Sequence, residues 1–387
     1  MKIKNLNIVK QVLFCFIVLL ILLFSSCEDE KKDIVKEDEV INSLNNNITF
    51  EDRIFPSDIS GVNCIGPSFD GVWGDLEEKE INKGFDTLES DLPFGLIHVG
   101  NEWGLMFDED GNYDWEEMDL HMKRIREMNG RASIVISGLE SWPEEFDEDV
   151  LGEKFTAKYI NFSKSLLNRY PDLIDYYWID NEVNLALNNM EISAEKYLQY
   201  YNEIKLELSK SHQSVSVGII ITYPYESNDN ALAEGEDKIY DLIKLAKNES
   251  LFGMTYYPQF LGLEAKEGAK KITLVDDMFK ERNLRYGVIE TGWSSKGYGS
   301  NPNNQKIFYE NLVLESFKDN STSREFLCTW GLYNPKLSAI QKTFFLISPG
   351  LSTWVENLGF FEEDGSKKPA WNAFRNSLNE VIVLNSN

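Results

Sequence analysis

Three acidic residues stand where a short apolar run gives way to polar sequence. Glu182 lies in Asp180-Asn181-Glu182-Val183-Asn184, Glu290 in Ile289-Glu290-Thr291-Gly292-Trp293, and Glu102 in Asn101-Glu102-Trp103. Two opposed carboxyls make one kind of chemistry available. One protonates a departing oxygen while the other attacks the carbon from the opposite face, which is how a glycosidic bond is split by double displacement. Like charges roughly 5 Å apart also drive one carboxyl to keep its proton, so the pair makes its own acid. A lone Glu after an apolar run is commonly a solvated loop residue. The weight of these three therefore depends on the elements that carry them.

Those elements alternate in type. Short β-branched or aromatic runs are expected as strands at Gly61–Ile65, Phe94–Val99, Ala132–Ser137, Asp175–Ile179, Val215–Ile221, Phe252–Tyr257, Arg285–Glu290 and Glu325–Trp330. Between them lie amphipathic stretches expected as helices: Trp115–Met128, Lys154–Arg169, Ala194–Lys210, Asp237–Lys247, Lys271–Glu281 and Asn304–Lys318, with Trp371–Leu378 as the closing helix. Strands alternating with helices predict an α/β fold with a parallel sheet, and eight such strands suit a closed (β/α)8 TIM barrel. An open doubly wound sheet is the alternative, but the Gly-rich phosphate turn it would want after an early strand is missing.

In a barrel of this kind chemistry sits at the C-terminal ends of the strands. Glu182 follows the fourth strand and Glu290 ends the seventh, on opposite sides of the mouth. Glu102 competes for the first role, yet placing it on a fourth strand would require three βα units in about 40 residues, where each needs about 30. It therefore belongs to the second strand, as a residue that touches substrate rather than the acid.

These residues resemble clan A of the glycoside hydrolases, the retaining (β/α)8 enzymes with catalytic Glu on strands four and seven. The resemblance runs from Gly61 to Leu378. Trp103-Gly104-Leu105-Met106-Phe107, Gly111-Asn112-Tyr113-Asp114-Trp115 and Asp119 resemble the second βα unit of families 5, 39 and 42. Tyr177-Trp178-Ile179-Asp180-Asn181-Glu182-Val183-Asn184 is similar to the clan's Asn-Glu-Pro motif, with Val183 in place of Pro. Glu290-Thr291-Gly292-Trp293 resembles the nucleophile strand, and Lys368-Pro369-Ala370-Trp371 the start of the last helix.

The resemblance implies Glu182 as acid/base and Glu290 as nucleophile. It also implies Asn181 as hydrogen-bonding the sugar 2-hydroxyl, Trp330 as the sugar platform, and Tyr257 as donating to the nucleophile from strand six. Tyr256 contends for that last role, and since neighbours on a strand face opposite ways only one can point into the site. The clan's strand-two Arg is replaced by His98, which would take over part of the nucleophile's hydrogen bonding or serve as a hydrogen-bonded barrel residue. Loop aromatics Trp73, Trp103, Trp142, Tyr223, Tyr225 and Trp293 would offer flat faces on which sugar rings stack.

A formal charge of −26 over 387 residues argues against nucleic acid and polyanionic substrates. A neutral carbohydrate is the expected partner, and the chain is read as a monomer. The histidines (His98, His121, His212) show no metal-ligand spacing, so neither metal nor cofactor is expected.

The N-terminus carries its own signals. Lys2, Lys4 and Lys10 precede an apolar run from Val12 to Phe24 that ends in Phe24-Ser25-Ser26-Cys27. Residues 1–26 read as a lipoprotein signal peptide and Cys27 as the lipidated residue, with Phe24 replacing the usual Leu of the lipobox. An ordinary signal peptide with a chance Cys is the plainer alternative. Residues 27–54 are acidic and polar, a tether that cannot bury a core, and residues 55–387 form the catalytic barrel. The acidic patch after Cys27 resembles the surface-export signal of Bacteroidota lipoproteins, implying an outer-membrane lipoprotein that meets the membrane only through its lipid. Cys64 and Cys328 remain; they are expected on adjacent strands if the barrel closes, as free buried thiols. A non-catalytic glycan-binding lipoprotein on a degenerate barrel, or an adhesion scaffold, would share the anchor but leaves the paired carboxylates unexplained.

Overall fold

A computed structural model describes residues 62–65, 78–91 and 96–385, apart from 109, 144–145, 147–148, 224–235, 248–249, 317–323, 333, 335–348 and 363. The signal peptide, Cys27, the tether, Trp73 and Tyr225 lie outside the described residues.

The strands are β1 (Val62–Ile65), β2 (Leu96–Glu102), β3 (Arg131–Ser137), β4 (Ile174–Ile179), β5 (Ser216–Thr222), β6 (Leu251–Tyr256), β7 (Arg285–Thr291) and β8 (Arg324–Thr329). They pair in sequence order as a closed barrel. Closure is direct: β1 pairs β8 in parallel, with Val62 opposite Phe326 and Cys64 opposite Cys328. The helices are α1 (Glu78–Asp91), α2 (Glu116–Glu127), α3 (Glu153–Arg169), α4 (Val183–Asn189), α5 (Ala194–Ser209), α6 (Glu236–Leu245), α7 (Ala265–Lys270), α8 (Ile272–Lys280), α9 (Pro302–Ser316), α10 (Pro349–Val355) and α11 (Pro369–Asn385). The helix expected over Lys271–Glu281 is α8, and a further short helix, α7, precedes it with a break at Lys271.

Strand periodicity divides the core in two. Leu96, Val135, Trp178, Ile220, Leu251, Ile289, Phe326 and Cys328 point inward and fill the barrel. The residues between them, such as Ile97, Ile134, Tyr177, Ile219 and Leu327, face the helices in a larger outer core. Inside, large residues oppose missing side chains: a Cβ at Gly218 would collide with Trp178, and one at Gly287 with Phe326. The barrel is therefore a packed core below its mouth, as layered side chains require.

The cysteines correct one expectation. Cys328 is not a free thiol but disulfide-bonded. Its register partner on β1 is Cys64, and adjacent strands run about 4.8 Å apart, within the Cα range a disulfide spans.

Candidate active site

The segment after β4 departs from regular geometry. Asp180 has φ +64° and Glu182 has φ +41°, ψ +46°, left-handed conformations that non-glycine residues seldom adopt. Each costs about 1–3 kcal/mol and persists only where neighbours over-determine it. Those neighbours are visible. The buried Asp180 carboxylate accepts the amide N–H groups of Gly138 at 2.6 Å and Leu139 at 2.7 Å, and the Tyr197 hydroxyl at 3.1 Å. A Cβ at Gly138 would sit tightly against the Tyr159 ring at 3.1 Å and Asp180 Oδ1 at 3.3 Å, so a larger residue would press on both. Burial outweighs these bonds and lifts the Asp180 pKa to about 7. On the other side, the Asn184 carboxamide clamps β5: its Nδ2 donates to Thr222 Oγ1 at 2.8 Å, and its Oδ1 accepts the Thr222 N–H at 2.9 Å. Held from both sides, the Glu182 side chain turns to the mouth, where the Thr255 hydroxyl donates to its Oε1 at 2.7 Å. Burial raises the Glu182 pKa above the usual carboxylate range, and the Thr255 bond opposes the rise.

Glu290 arrives by a bulge. Met254 pairs with Val288 but Thr255 pairs with Glu290, so the register skips Ile289. Ile289 joins the inward cluster while Glu290, its neighbour, reaches Tyr257 at the mouth. A bulge is a known way to re-aim a side chain beside a site. The Tyr257 hydroxyl donates to Glu290 Oε2 at 2.9 Å. Burial, then the charge of Glu290, and further on that of Glu182, push the Tyr257 pKa well above that of a free phenol, so it stays a donor. One tyrosine thus feels both carboxylates. Behind it Trp354 packs edge-on at 5.1 Å, and Trp330 at the end of β8 lies at 6.2 Å, half-buried.

Asn181 lies between the two strained residues, half-buried, its N–H 3.5 Å from Ser137 Oγ. Its Oδ1 meets no partner among the described residues. Glu102 ends β2 directly beside Ser137 on β3.

Four expected substrate contacts lie elsewhere. Tyr256 faces the helices, its hydroxyl donating to the Gly268 carbonyl. Trp103 is fully buried among Phe107, Phe146, Phe155, Tyr159 and Phe162, because it follows the inward Glu102 and so takes the opposite face. Trp293 is buried against Phe308 of α9, with Nε1 donating to Ser300 Oγ at 2.8 Å. His98 points inward but below the mouth, 6% exposed, with Nδ1 3.0 Å from Ser133 Oγ. Trp178 Nε1 donates to the same oxygen at 2.8 Å. Burial lowers the His98 pKa to about 3, so it is a neutral barrel residue and no substitute for an arginine. Of the other loop aromatics, Trp142 and Tyr223 pack against the outer core.

The sequence reading passed over one carboxyl. Glu140 lies three residues beyond β3, where the Ser137 hydroxyl hydrogen-bonds it. Burial, then repulsion from Glu102, Glu182 and Asp180, drives its pKa well above the carboxylate range. The strand-end position that marked Glu182 marks Glu140 equally.

No family model matches the chain, and no curated protein matches its sequence. Solved structures do match its fold. A family 39 glycoside hydrolase from Bacteroides cellulosilyticus WH2 aligns with a TM-score of 0.55 at 14% identity, over 82% of this chain and 62% of that one. This chain thus spans under two thirds of that relative. A GH5_18 protein from Streptomyces cattleya, in complex with GlcNAc, gives 0.60 at 12% identity, over 83% and 80%. A GH10 endoxylanase from a sugarcane soil metagenome gives 0.56 at 13%, over 83% and 98%. At these identities the likeness is one of fold: this chain has the (β/α)8 fold of glycoside hydrolases.

Proposed function

We propose that this chain is a retaining glycoside hydrolase that cleaves β-glycosidic bonds of a neutral oligo- or polysaccharide, with Glu182 as acid/base and Glu290 as nucleophile. The observation that carries the reading is the hydrogen bond from Tyr257 to Glu290, on a phenol that also feels Glu182. That bond orients the Glu290 carboxylate at the mouth. The folded likeness to glycoside hydrolases of families 39, 5 and 10 supports it.

Each carboxyl then has a defined task. Glu182, lifted in pKa by burial, holds a proton at rest and gives it to the departing glycosidic oxygen as Glu290 bonds to the anomeric carbon. Glu182, now ionised, takes a proton from water; the water oxygen bonds to the anomeric carbon and the Glu290–carbon bond breaks. Two inversions give net retention. Asn181 and Trp330 would hold the sugar by its 2-hydroxyl and its flat face.

The test is proton NMR of the first-formed product from an aryl β-glycoside panel. A β-anomer is expected. An α-anomer first would remove Glu290 as nucleophile, and no turnover on any neutral glycoside would leave a glycan-binding protein.

The basic and then apolar N-terminal run that ends at Cys27 supports a reading as an outer-membrane lipoprotein, and a disulfide at Cys328 suits an oxidising compartment. Radiolabelled fatty acid should mark the wild type and not Cys27→Ala; equal labelling would reject the anchor.

A further inference from the structure

The double displacement makes no use of Glu140, yet the fold takes trouble to place it. The two residues before it, Gly138 and Leu139, are fixed by their N–H bonds to Asp180. Ser137, which closes β3, hydrogen-bonds the Glu140 carboxyl, lies in register with Glu102, and receives the Asn181 N–H at 3.5 Å. Glu140 therefore rests on a serine that joins three strand ends, with Glu102 on the β2 side and Glu182 on the β4 side.

From this placement we infer that Glu140 is a third acid of the site, a specificity-determining residue that forms with Glu102 a donor–acceptor pair for one sugar hydroxyl. The inference rests on the sugar-cleaving reading of this mouth. A sugar hydroxyl both gives and takes a hydrogen bond, whereas an ionised carboxylate only accepts. A mouth lined by ionised carboxylates alone would leave the hydroxyl oxygen without a donor. Glu140 escapes this limit because burial, and then the repulsion of Glu102, keep its proton on. Its O–H then donates to the sugar oxygen while the Glu102 carboxylate takes the sugar's hydrogen. The same arrangement disfavours a ligand carboxylate, which offers no hydrogen to Glu102.

Two measurements on the full-length protein test this. Infrared difference spectra at neutral pH, wild type minus Glu140→Gln, should show one protonated-carboxyl carbonyl band. Its midpoint on raising the pH should fall in Glu102→Gln, where one repelling neighbour is gone. No such band would overturn the donor. In the second arm, kcat/KM is measured on the aryl β-glycoside the enzyme cleaves best. Glu140→Ala should lose about tenfold or more, and Glu140→Gln, which keeps an N–H donor of similar shape, should recover most of that loss. Equal loss in both variants would mean that the ionised carboxylate is what matters, and would overturn the pair. The arms separate the two readings. A band without any turnover sinks the hydrolase reading and leaves Glu140 as a donor in a glycan-binding mouth, whereas turnover without a band sinks the donor alone.

Discussion

The two ends of this barrel handle negative charge in opposite ways. At the N-terminal ends of the strands two carboxylates are paired with arginines. Asp175 of β4 is bonded by Arg131 of β3, with Nε at 2.8 Å. Glu325 of β8 is bonded by Arg285 of β7, with Nη2 at 2.9 Å, and also accepts the Tyr176 hydroxyl at 3.0 Å. At the C-terminal ends, hydroxyls bond the carboxyls: Thr255 bonds Glu182, Tyr257 bonds Glu290 and Ser137 bonds Glu140. Hydroxyl bonds orient a carboxyl without cancelling its charge, and burial then favours its protonated form. The difference separates charge used to close a barrel from charge kept available for proton transfer.

The comparison breaks most sharply at the mouth. Glu290→Ala should lower kcat by at least about 10⁴-fold, the scale seen when a nucleophile is removed. Glu182→Ala should cost roughly 10²–10⁴-fold on substrates with poor leaving groups and far less on activated aryl glycosides, which need no acid to depart. The pH profile adds a sign. The first step needs protonated Glu182, so activity is present below its raised pKa and is lost as the pH rises through it. With activated substrates this alkaline limb should vanish in Glu182→Ala; its survival would assign the proton to another group. Tyr257→Phe comes next: losing one donor to the nucleophile should lower kcat roughly tenfold or more, with the fold intact by circular dichroism. An unchanged kcat would reduce Tyr257 to packing against Trp354.

Much of this arrangement was legible because a barrel converts sequence parity into direction. The eight apolar runs located the strands to within a residue or two, except that β2 runs three residues past Val99 to Glu102, and Glu182 and Glu290 fell at the ends that face the mouth. The Tyr256–Tyr257 choice remained open until Tyr257 proved to be the inward one. The same parity separates Glu102 from Trp103, a consequence the loop-aromatic reading missed. Parity gives the face but not the height, so His98 shared the inward side with Glu102 while sitting below the mouth. It also fails at a bulge: Ile289 and Glu290 both turn from the helices, which alternation alone forbids. The helix Glu78–Asp91 went unread because its apolar stripe is thin, yet Phe85 and Leu88 are fully buried. Glu140 stands as far past β3 as Glu182 past β4, but Gly138-Leu139 before it lacks the Asp-Asn sequence that marks Glu182. The Cys328 disulfide depended on a distance that only closure supplies.

The smallest expected effect lies at the opposite end and sharpens the contrast. The Arg285 and Glu325 side chains are 44% and 22% exposed, so solvent screens much of their attraction. Pairs of this kind contribute about 0–1 kcal/mol. Arg285→Met should therefore lower the midpoint of thermal unfolding only slightly. Added salt should weaken the wild type's advantage, because it screens exposed charge. The kcat on any substrate should stay unchanged, since the packed layer of Trp178, Ile289 and Phe326 lies between this pair and the mouth. A comparable loss of kcat in Arg285→Met would mean that charge at one end is felt at the other. The barrel interior would then transmit charge effects that a close-packed apolar layer should insulate.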